Sequence, residues 1–253
     1  MDFVRVEHSH NVAVITLSRG KVNAINDQLV DELLMVVSNA VADERVRAVV
    51  LGSDKTRFFS TGFDFAEVFQ YDRRKMTEFF GRYIDLYEAI YTLPKPVVGA
   101  ISGHAFAGGA ILALACDVRI MAEGEFGFAL NEVNLGLVLP VGAARMAINA
   151  VGVPKACEII LSGAAVTPGQ ALEMGLAKEV AAPESVMERA LFHARALSEK
   201  PPVAFAGVKK LLKEASGTYN TGDDRKALDE VINSWFSAEA EQRKKALTDS
   251  MRR

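Results

Sequence analysis

The chain has 253 residues, 50% of them hydrophobic, and a formal net charge of −3. This length and apolar content predict a globular protein with a sizeable core, and the absence of a basic stripe argues against nucleic-acid binding. Two cysteines, Cys116 and Cys157, lie in apolar runs without C-x-x-C spacing, which favours neither a disulfide framework nor a zinc site. The N-terminal residues lack a long apolar segment of the secretory type, so we expect a cytoplasmic protein.

The first ninety residues predict an alternation of strands and helices. Apolar alternation around His10-Asn11 indicates a hairpin, and apolar residues at helical spacing follow it. In chain order we predict strands at 3–6 and 12–17, a helix at 27–41 with Asp27 as its N-cap, a strand at 47–51, a polar loop to residue 60 and a helix at 74–92.

The stretch from Pro96 to Cys116 carries no formal charge and is long enough for a membrane span, which needs about 20 residues. Its internal pattern argues against a span, because a β-branched run at 97–101 and turn residues at 102–104 come before any helical stretch. We therefore predict a strand, a loop and a buried helix over 110–116. By itself, the Gly108-Gly109 pair before that helix favours close packing of the helix against a sheet.

The second half predicts short strands at 118–121 and 126–128, mostly helices from Gly142 onward, and a last strand near Val180. Prolines at 201 and 202 must end the helix before them, since proline breaks helical hydrogen bonding. We therefore divide the α/β chain into a core, residues 1–200, and a C-terminal helical region, residues 201–253, that is used in packing and oligomerisation.

Four segments resemble the signature motifs of the crotonase superfamily, the enoyl-CoA hydratases and isomerases. They are GKVNAIN at 20–26, FFSTGFDFAEV at 58–68, KPVVGAISGHAFAGGAILALACDVRI at 95–120 and FGFALNEVNLGLVLP at 126–140. The motifs occur in the family's order over nearly the whole chain. The resemblance implies a crotonase-like spiral of strand-strand-helix turns with C-terminal helices that form trimers or hexamers. It also implies an acyl-CoA thioester as partner, with coenzyme A entering as part of the substrate and no tightly bound cofactor or metal.

The resemblance also assigns catalytic roles. In this family two backbone N–H groups hold the oxygen of a thioester enolate, and the matching residues here are Phe63 and Gly108. A helix start favours a negative oxygen because its N–H groups are unpaired, and glycine leaves the backbone accessible. Glu132 is the expected base that moves the proton, with apolar neighbours that should raise its pKa.

Further residues are expected to bind the substrate. Lys21 can meet a phosphate of coenzyme A as a point charge, and the backbone at Ala24 can meet the adenine and the pantetheine arm. The remaining expected contacts are Val22, Ser60, Thr61, Gly62, Asp64, Phe65, Phe106, Gly109, Ile111, Asn131 and Leu137.

Three other polar residues have structural explanations. We expect Asp117, where the buried helix meets the next strand, to be a structural cap or a hydrogen-bond anchor, and Asp64 to bond local backbone as Asp does in turns. We expect His104 to be a loop histidine, since no second His or Cys stands at metal spacing. Neither the G-x-S-x-G motif of serine hydrolases nor a phosphate-binding glycine motif occurs.

The departures from the family pattern favour one activity over another. Hydratases of this family carry a second glutamate two residues after the glycine pair, where this chain has Ile111. The acid in L-N-E, followed by L-G-L, more closely resembles the delta-3, delta-2-enoyl-CoA isomerases. We therefore expect an enoyl-CoA isomerase of fatty-acid or related acyl-CoA metabolism. A hydratase or other enolate-forming enzyme remains an alternative, and a non-catalytic or RNA-binding relative is a third.

Overall fold

The computed structural model describes residues 1–217 and 222–251. The strands within these residues are β1 (Val4–Ser9), β2 (Val12–Leu17), β3 (Ala48–Ser53), β4 (Phe58–Ser60), β5 (Val97–Ile101), β6 (His104–Phe106), β7 (Val118–Ala122), β8 (Phe128–Ala129) and β9 (Glu179–Ala181). The helices are α1 (Asp27–Ala42), α2 (Phe65–Val68), α3 (Arg73–Thr92), α4 (Gly108–Ala115), α5 (Val141–Ser162), α6 (Pro168–Glu173), α7 (Val186–Ser198), α8 (Pro202–Ala215), α9 (Asp223–Trp235) and α10 (Ala238–Met251). Short 3₁₀ helices occupy Glu132–Leu135 and Pro183–Ser185.

Two sheets form the framework of the fold. The larger has the order β1-β2-β3-β5-β7-β9 and the smaller the order β4-β6-β8. β1 and β2 pair in an antiparallel hairpin, and the other pairings between these described strands are parallel. Each turn of the chain, β3 then β4, β5 then β6 and β7 then β8, supplies one strand to each sheet. This spiral confirms the predicted crotonase-like α/β fold.

Two local predictions are corrected. The N-cap of α1 is Asn26 rather than Asp27, because the Asn26 side chain accepts a hydrogen bond of 3.1 Å from the Leu29 N–H. Strands β4 and β6 lie where a polar loop and a turn were predicted. Each has only three residues, too few for a visible alternation, and they form through pairing with distant segments of the smaller sheet.

The uncharged stretch folds as predicted into strand β5 and helix α4, and all eight residues of α4 are buried. The helix packs against α3, α5 and strands of the smaller sheet. Among the described residues, no helix is long and apolar enough to cross a membrane.

The C-terminal helices divide into two kinds. Helix α9 buries Leu228, Val231, Ile232 and Trp235 in the main core. Helix α8 instead leaves four apolar side chains exposed, Val203, Val208, Leu211 and Leu212. The division into 1–200 and 201–253 stays a prediction, and residues 218–221 and 252–253 of the second region lie outside the described residues.

Candidate active site

The two glycines at the start of α4 have different reasons to be glycine. A Cβ at Gly109 would lie 2.4 Å from the carbonyl oxygen of Ser60 in β4, a clash with backbone that cannot move away. A Cβ at Gly108 would lie 3.2 Å from the Tyr83 hydroxyl and 3.3 Å from the Phe63 ring. Gly109 therefore serves the close packing of helix on sheet, whereas Gly108 keeps space open beside two aromatic side chains.

The residue before the pair has a strained backbone. Ala107 has φ 45° and ψ −122°, a positive φ that costs a non-glycine residue about 1–3 kcal/mol. Hydrogen bonds hold it on both sides: its N–H donates to Ala129, and its carbonyl accepts from Ile111. This conformation sets the direction of the next peptide, whose N–H belongs to Gly108.

Phe63 lies in a short parallel pairing between residues 22–25 and 61–64. The Ile25 N–H donates to the Gly62 carbonyl at 2.7 Å, and the Asp64 N–H donates to the Ile25 carbonyl at 2.8 Å. In parallel pairing these bonds use the groups on either side of Phe63 and leave its own N–H directed away. Within residues 1–217 and 222–251, no acceptor bonds the N–H of Phe63 or of Gly108.

The two free N–H groups belong to segments in contact. Gly62, next to Phe63, has φ 86°, and a Cβ there would lie 3.0 Å from the Gly108 nitrogen. Two unpaired backbone donors on touching segments, one of them at a helix N-terminus, can together bind one negatively charged oxygen. This arrangement is a candidate oxyanion hole.

Glu132 is a buried acid. It begins the 3₁₀ helix that follows β8, its residue is 8% exposed, and its Oε2 has no hydrogen-bond partner among the described residues. Burial raises the pKa of the carboxyl from 4.5 to about 7. A carboxyl with that pKa can take up and release a proton near neutral pH.

One narrow apolar pocket contains the candidate oxyanion hole and Glu132. It is lined by Phe63, Phe65, Phe80, Tyr83, Ala107, Gly108, Ile111, Glu132, Leu135, Leu137, Val138, Pro140, Val231 and Trp235. Its cavity volume is about 30 Å³, so the pocket is narrow. Six of the predicted site residues meet here: Phe63, Phe65, Gly108, Ile111, Glu132 and Leu137.

Other predicted site residues lie outside this pocket and support its walls. The Ser60 hydroxyl donates to the Asn23 carbonyl at 2.8 Å and accepts from the Gly62 N–H. Thr61 pairs with Val22 through a backbone bond of 3.2 Å. Asp64 caps α2 by accepting from the Ala66 N–H, as predicted for its local backbone.

The residues predicted to contact the nucleotide lie next to the candidate oxyanion hole. Lys21 is exposed, and Val22 and Ala24 are half-buried on the segment that pairs with 61–64. The roles of these residues stay predictions. The same holds for Phe106, which packs on His104, and for Asn131, whose Oδ1 is buried without a partner among the described residues.

The two remaining polar candidates make hydrogen bonds within the fold, although His104 begins strand β6 and does not lie in a loop as predicted. His104 accepts a hydrogen bond from the Gly127 N–H through Nδ1 at 3.0 Å. Asp117 accepts from the Val97 N–H and pairs with Lys209 at 2.6 Å. In the part of the chain that the structure describes, no group of three or more His, Cys, Asp or Glu residues could hold a metal ion.

Three residues beside the pocket were not assigned functional roles from the sequence. Tyr83 and Trp235 line the pocket. Arg19 contacts both the Ala24 carbonyl and Asp64. Its one available signal was its place immediately before the GKVNAIN segment.

Comparison with known proteins identifies the family of the chain. Residues 7–249 match the family model described as "Enoyl-CoA hydratase/isomerase". The chain is 34% identical to the "Probable enoyl-CoA hydratase" of Bacillus subtilis (strain 168) over 79% of this chain and 78% of that protein. It is 31% identical to the "Enoyl-CoA delta isomerase 1, mitochondrial" of Mus musculus over 74% of this chain and 65% of that protein.

A solved structure supports the fold. The crystal structure of human mitochondrial delta3-delta2-enoyl-CoA isomerase superposes with a TM-score of 0.93, covering 99% of this chain and 98% of that one. The sequence identity is 24%, so this similarity is evidence for the fold alone.

Proposed function

The chain belongs to the enoyl-CoA hydratase/isomerase family, and we propose that within this family it shifts the double bond of an enoyl-CoA. The proposal rests chiefly on one observation: Glu132 is the single carboxylate among the described residues that line the pocket. Ile111, at the position where the hydratases of the resemblance carry their second glutamate, lines the same pocket and is 2% exposed.

The proposed reaction needs one base and one oxyanion hole. The thioester oxygen of a 3-enoyl-CoA accepts hydrogen bonds from the N–H groups of Phe63 and Gly108, which stabilise the negative charge that develops there. Glu132 removes a proton from the α carbon, and the electrons spread over a dienolate. The protonated Glu132 then returns the proton to the γ carbon, which moves the double bond to the 2 position and restores the carboxylate.

The pocket chemistry supports this cycle. A pKa of about 7 for Glu132 lets the same group act as base and then as acid near neutral pH. The apolar walls exclude water. Water would otherwise compete with Glu132 as proton donor to the dienolate and would screen the charge of the oxyanion.

Hydration of a 2-enoyl-CoA is the alternative, since hydratases are among the relatives. That reaction must orient and deprotonate a water while a proton is delivered to the α carbon. The isoleucine side chain at 111 can neither hold a water nor carry a proton, which favours isomerisation. A non-catalytic or RNA-binding role has the weakest support, because the net charge is −3 and RNA binding depends on cationic contacts to phosphate.

The remaining parts of the proposal concern substrate and assembly. Coenzyme A enters as part of the substrate, with Lys21 and Ala24 beside it, and we propose no tightly bound cofactor and a cytoplasmic location. We also propose a homotrimer or hexamer. The exposed apolar residues of α8, such as Leu211 and Leu212 at 64% and 66%, support it, because such patches mark interfaces.

Parallel assays test the proposed activity. Purified protein is given 3-enoyl-CoA and 2-enoyl-CoA substrates of equal chain length, and double-bond migration and hydration are measured separately. We expect rapid migration and weak hydration. Rapid hydration of crotonyl-CoA with no turnover of 3-enoyl-CoA would contradict the proposal. Ile111→Glu provides a second arm, in which we expect hydration to rise relative to migration.

A further inference from the structure

Arg19 is tied to two loops that the proposed reaction uses. Its Nη1 donates to the Ala24 carbonyl at 2.8 Å, and its Nη2 lies 2.7 Å from Asp64 Oδ2. Ala24 belongs to the segment expected beside the nucleotide, and Asp64 directly follows Phe63. A single guanidinium therefore joins the proposed nucleotide loop to the oxyanion loop.

The backbone of Arg19 completes the same loop. Its N–H donates to Asn23 Oδ1 at 2.7 Å, and its carbonyl accepts from the Asn23 N–H at 3.0 Å. Asn23 is fully buried at a positive φ of 49°, a conformation that asparagine tolerates better than most residues. The backbone of Arg19 thus closes the turn at Asn23, and its side chain binds the carbonyl of the next residue, Ala24.

Several other hydrogen bonds also join the two loops. Three backbone bonds connect 22–25 to 61–64, the Asn23 side chain donates to the Phe59 carbonyl at 3.1 Å, and the Asn26 side chain donates to Glu67 Oε2 at 2.9 Å. Arg19 adds a charged, directional link between the loops. Its Nη2 also lies 3.7 Å from Glu67 Oε2. Its planar fork can hold a carbonyl and a carboxylate at the same time, which a lysine ammonium cannot do with equal geometry.

Burial argues against a direct role for Arg19 in phosphate binding. Its side chain is 17% exposed, its Nε is buried, and both terminal nitrogens already have partners in the protein. A guanidinium held in this way is available to fix loops, and its surface is mostly closed to a ligand.

We propose that Arg19 is a positioning residue that keeps the Phe63 N–H directed at the thioester oxygen by holding the loops at Ala24 and Asp64 in one register. The inference rests on the proposed function, because it takes Phe63 as an oxyanion donor. Small displacements of such donors matter: a misplacement of about 1 Å can cost about 100-fold in rate.

The test compares two thioesters of the same 3-enoyl group, one of coenzyme A and one of N-acetylcysteamine, which lacks the nucleotide. In Arg19→Met we expect kcat to fall by about 10- to 100-fold on both thioesters, with KM changed less than kcat. Arg19→Lys should fall between Arg19→Met and wild type. A loss confined to the coenzyme A thioester and expressed in KM would instead make Arg19 a nucleotide-binding residue and overturn the proposal, as would unchanged rates on both.

A second variant and a control keep the result interpretable. Asp64→Asn weakens the same link, so we expect its effect to combine with that of Arg19→Met less than additively; additive effects would contradict the proposal. Arg5→Met is the matched control. Arg5 also pairs with an aspartate, Asp54 at 3.4 Å, but Arg5 is an exposed residue of strand β1. If Arg19→Met does not fold by circular dichroism, Arg19→Lys and Asp64→Asn carry the same comparison.

The proposed activity is judged separately, from the wild-type rates alone. Should the wild type hydrate 2-enoyl thioesters instead, the variants are compared on those substrates, because hydration also develops charge on the thioester oxygen. Failure of the isomerase proposal and failure of the Arg19 proposal therefore give different results.

Discussion

The hydroxyl of Tyr83 donates a hydrogen bond of 2.6 Å to the carbonyl oxygen of Gly108. The Tyr83 ring also packs edge-on against the ring of Phe63, with centroids 4.9 Å apart. Burial, and secondarily the charge of Glu132, raise the pKa of Tyr83 well above 10, so the hydroxyl stays protonated and remains a donor. One buried side chain of α3 therefore contacts both residues of the candidate oxyanion hole.

Replacing Tyr83 by phenylalanine should reduce turnover more than binding. The variant loses the bond to Gly108, which frees the first peptide of α4 to shift, and we expect kcat to fall about tenfold and the free energy of unfolding to fall by about 1 kcal/mol. Steady-state kinetics and denaturant unfolding measure both. Tyr71→Phe is the control, since the Tyr71 hydroxyl bonds Glu67 and Asp27 instead. Equal kinetic losses in the two variants would argue against a specific role for Tyr83.

The two glycines should respond differently to alanine. Gly109→Ala places a Cβ 2.4 Å from the Ser60 carbonyl, so we expect a loss of several kcal/mol in stability or failure to fold. Gly108→Ala meets side-chain atoms at 3.2 Å or more, so we expect it to fold and to lose most of its activity. Thermal unfolding and turnover, measured on both, separate the roles. A Gly108→Ala variant with full activity would remove Gly108 from the oxyanion hole.

Glu132 should make stability depend on pH. Its pKa is about 7 in the folded protein against an ordinary value of 4.5, so the folded state binds the proton more tightly. Stability from this group is then full below pH 4.5 and falls as the pH rises toward 7, because the buried carboxylate must carry its charge there. The difference corresponds to about 3 kcal/mol.

The neutral variant Glu132→Gln tests this dependence. Relative to wild type, we expect it to gain about 3 kcal/mol in the free energy of unfolding between pH 4.5 and about pH 8, as measured by urea unfolding at several pH values. Glu173→Gln, at an exposed position, should show no such gain. A constant difference between Glu132→Gln and wild type across this range would mean that the pKa of Glu132 is not raised.

Trp235 should limit the length of the acyl chain. It forms part of the pocket wall with Val231 and Phe80, and the pocket is narrow, with a cavity volume of about 30 Å³. We expect Trp235→Leu to raise kcat/KM for longer 3-enoyl-CoA substrates by about tenfold relative to short ones, as each added methylene gains apolar contact, while stability falls. Val203→Ala, on the exposed face of α8, should leave the preference unchanged. An unchanged preference in Trp235→Leu would exclude this wall as the limit.

Local patterns that do not depend on distant contacts predicted individual helices and strands, whereas the spiral fold was expected from the family resemblance. The hairpin, helix α3, strand β5 and buried helix α4 each carry an apolar pattern of their own length. Strands β4 and β6 have three residues each and exist through pairing in the smaller sheet, so no local pattern could reveal them. The third strand of that sheet, β8, was indicated by the pattern at 126–128, although it spans only Phe128–Ala129.

The site residues that belong to a motif could be predicted from the sequence. The residues that reach the site only through tertiary packing could not. The motifs led to Phe63, Gly108 and Glu132, and the structure brings these three to one pocket. The hydrogen bonds of Tyr83 and Arg19 span 25 and 45 residues of sequence in their links to Gly108 and Asp64. Such contacts arise only when the helices and loops pack, which explains why the sequence did not indicate them.

The most direct test of the account is the turnover of 3-enoyl-CoA by Glu132→Gln beside wild type at neutral pH. The glutamine keeps the shape of the side chain but cannot accept the α proton, so we expect isomerisation to fall by several orders of magnitude, about 10²- to 10⁴-fold, with the circular dichroism spectrum unchanged. A folded Glu132→Gln protein that isomerises 3-enoyl-CoA at the wild-type rate would contradict the central claim that Glu132 is the base.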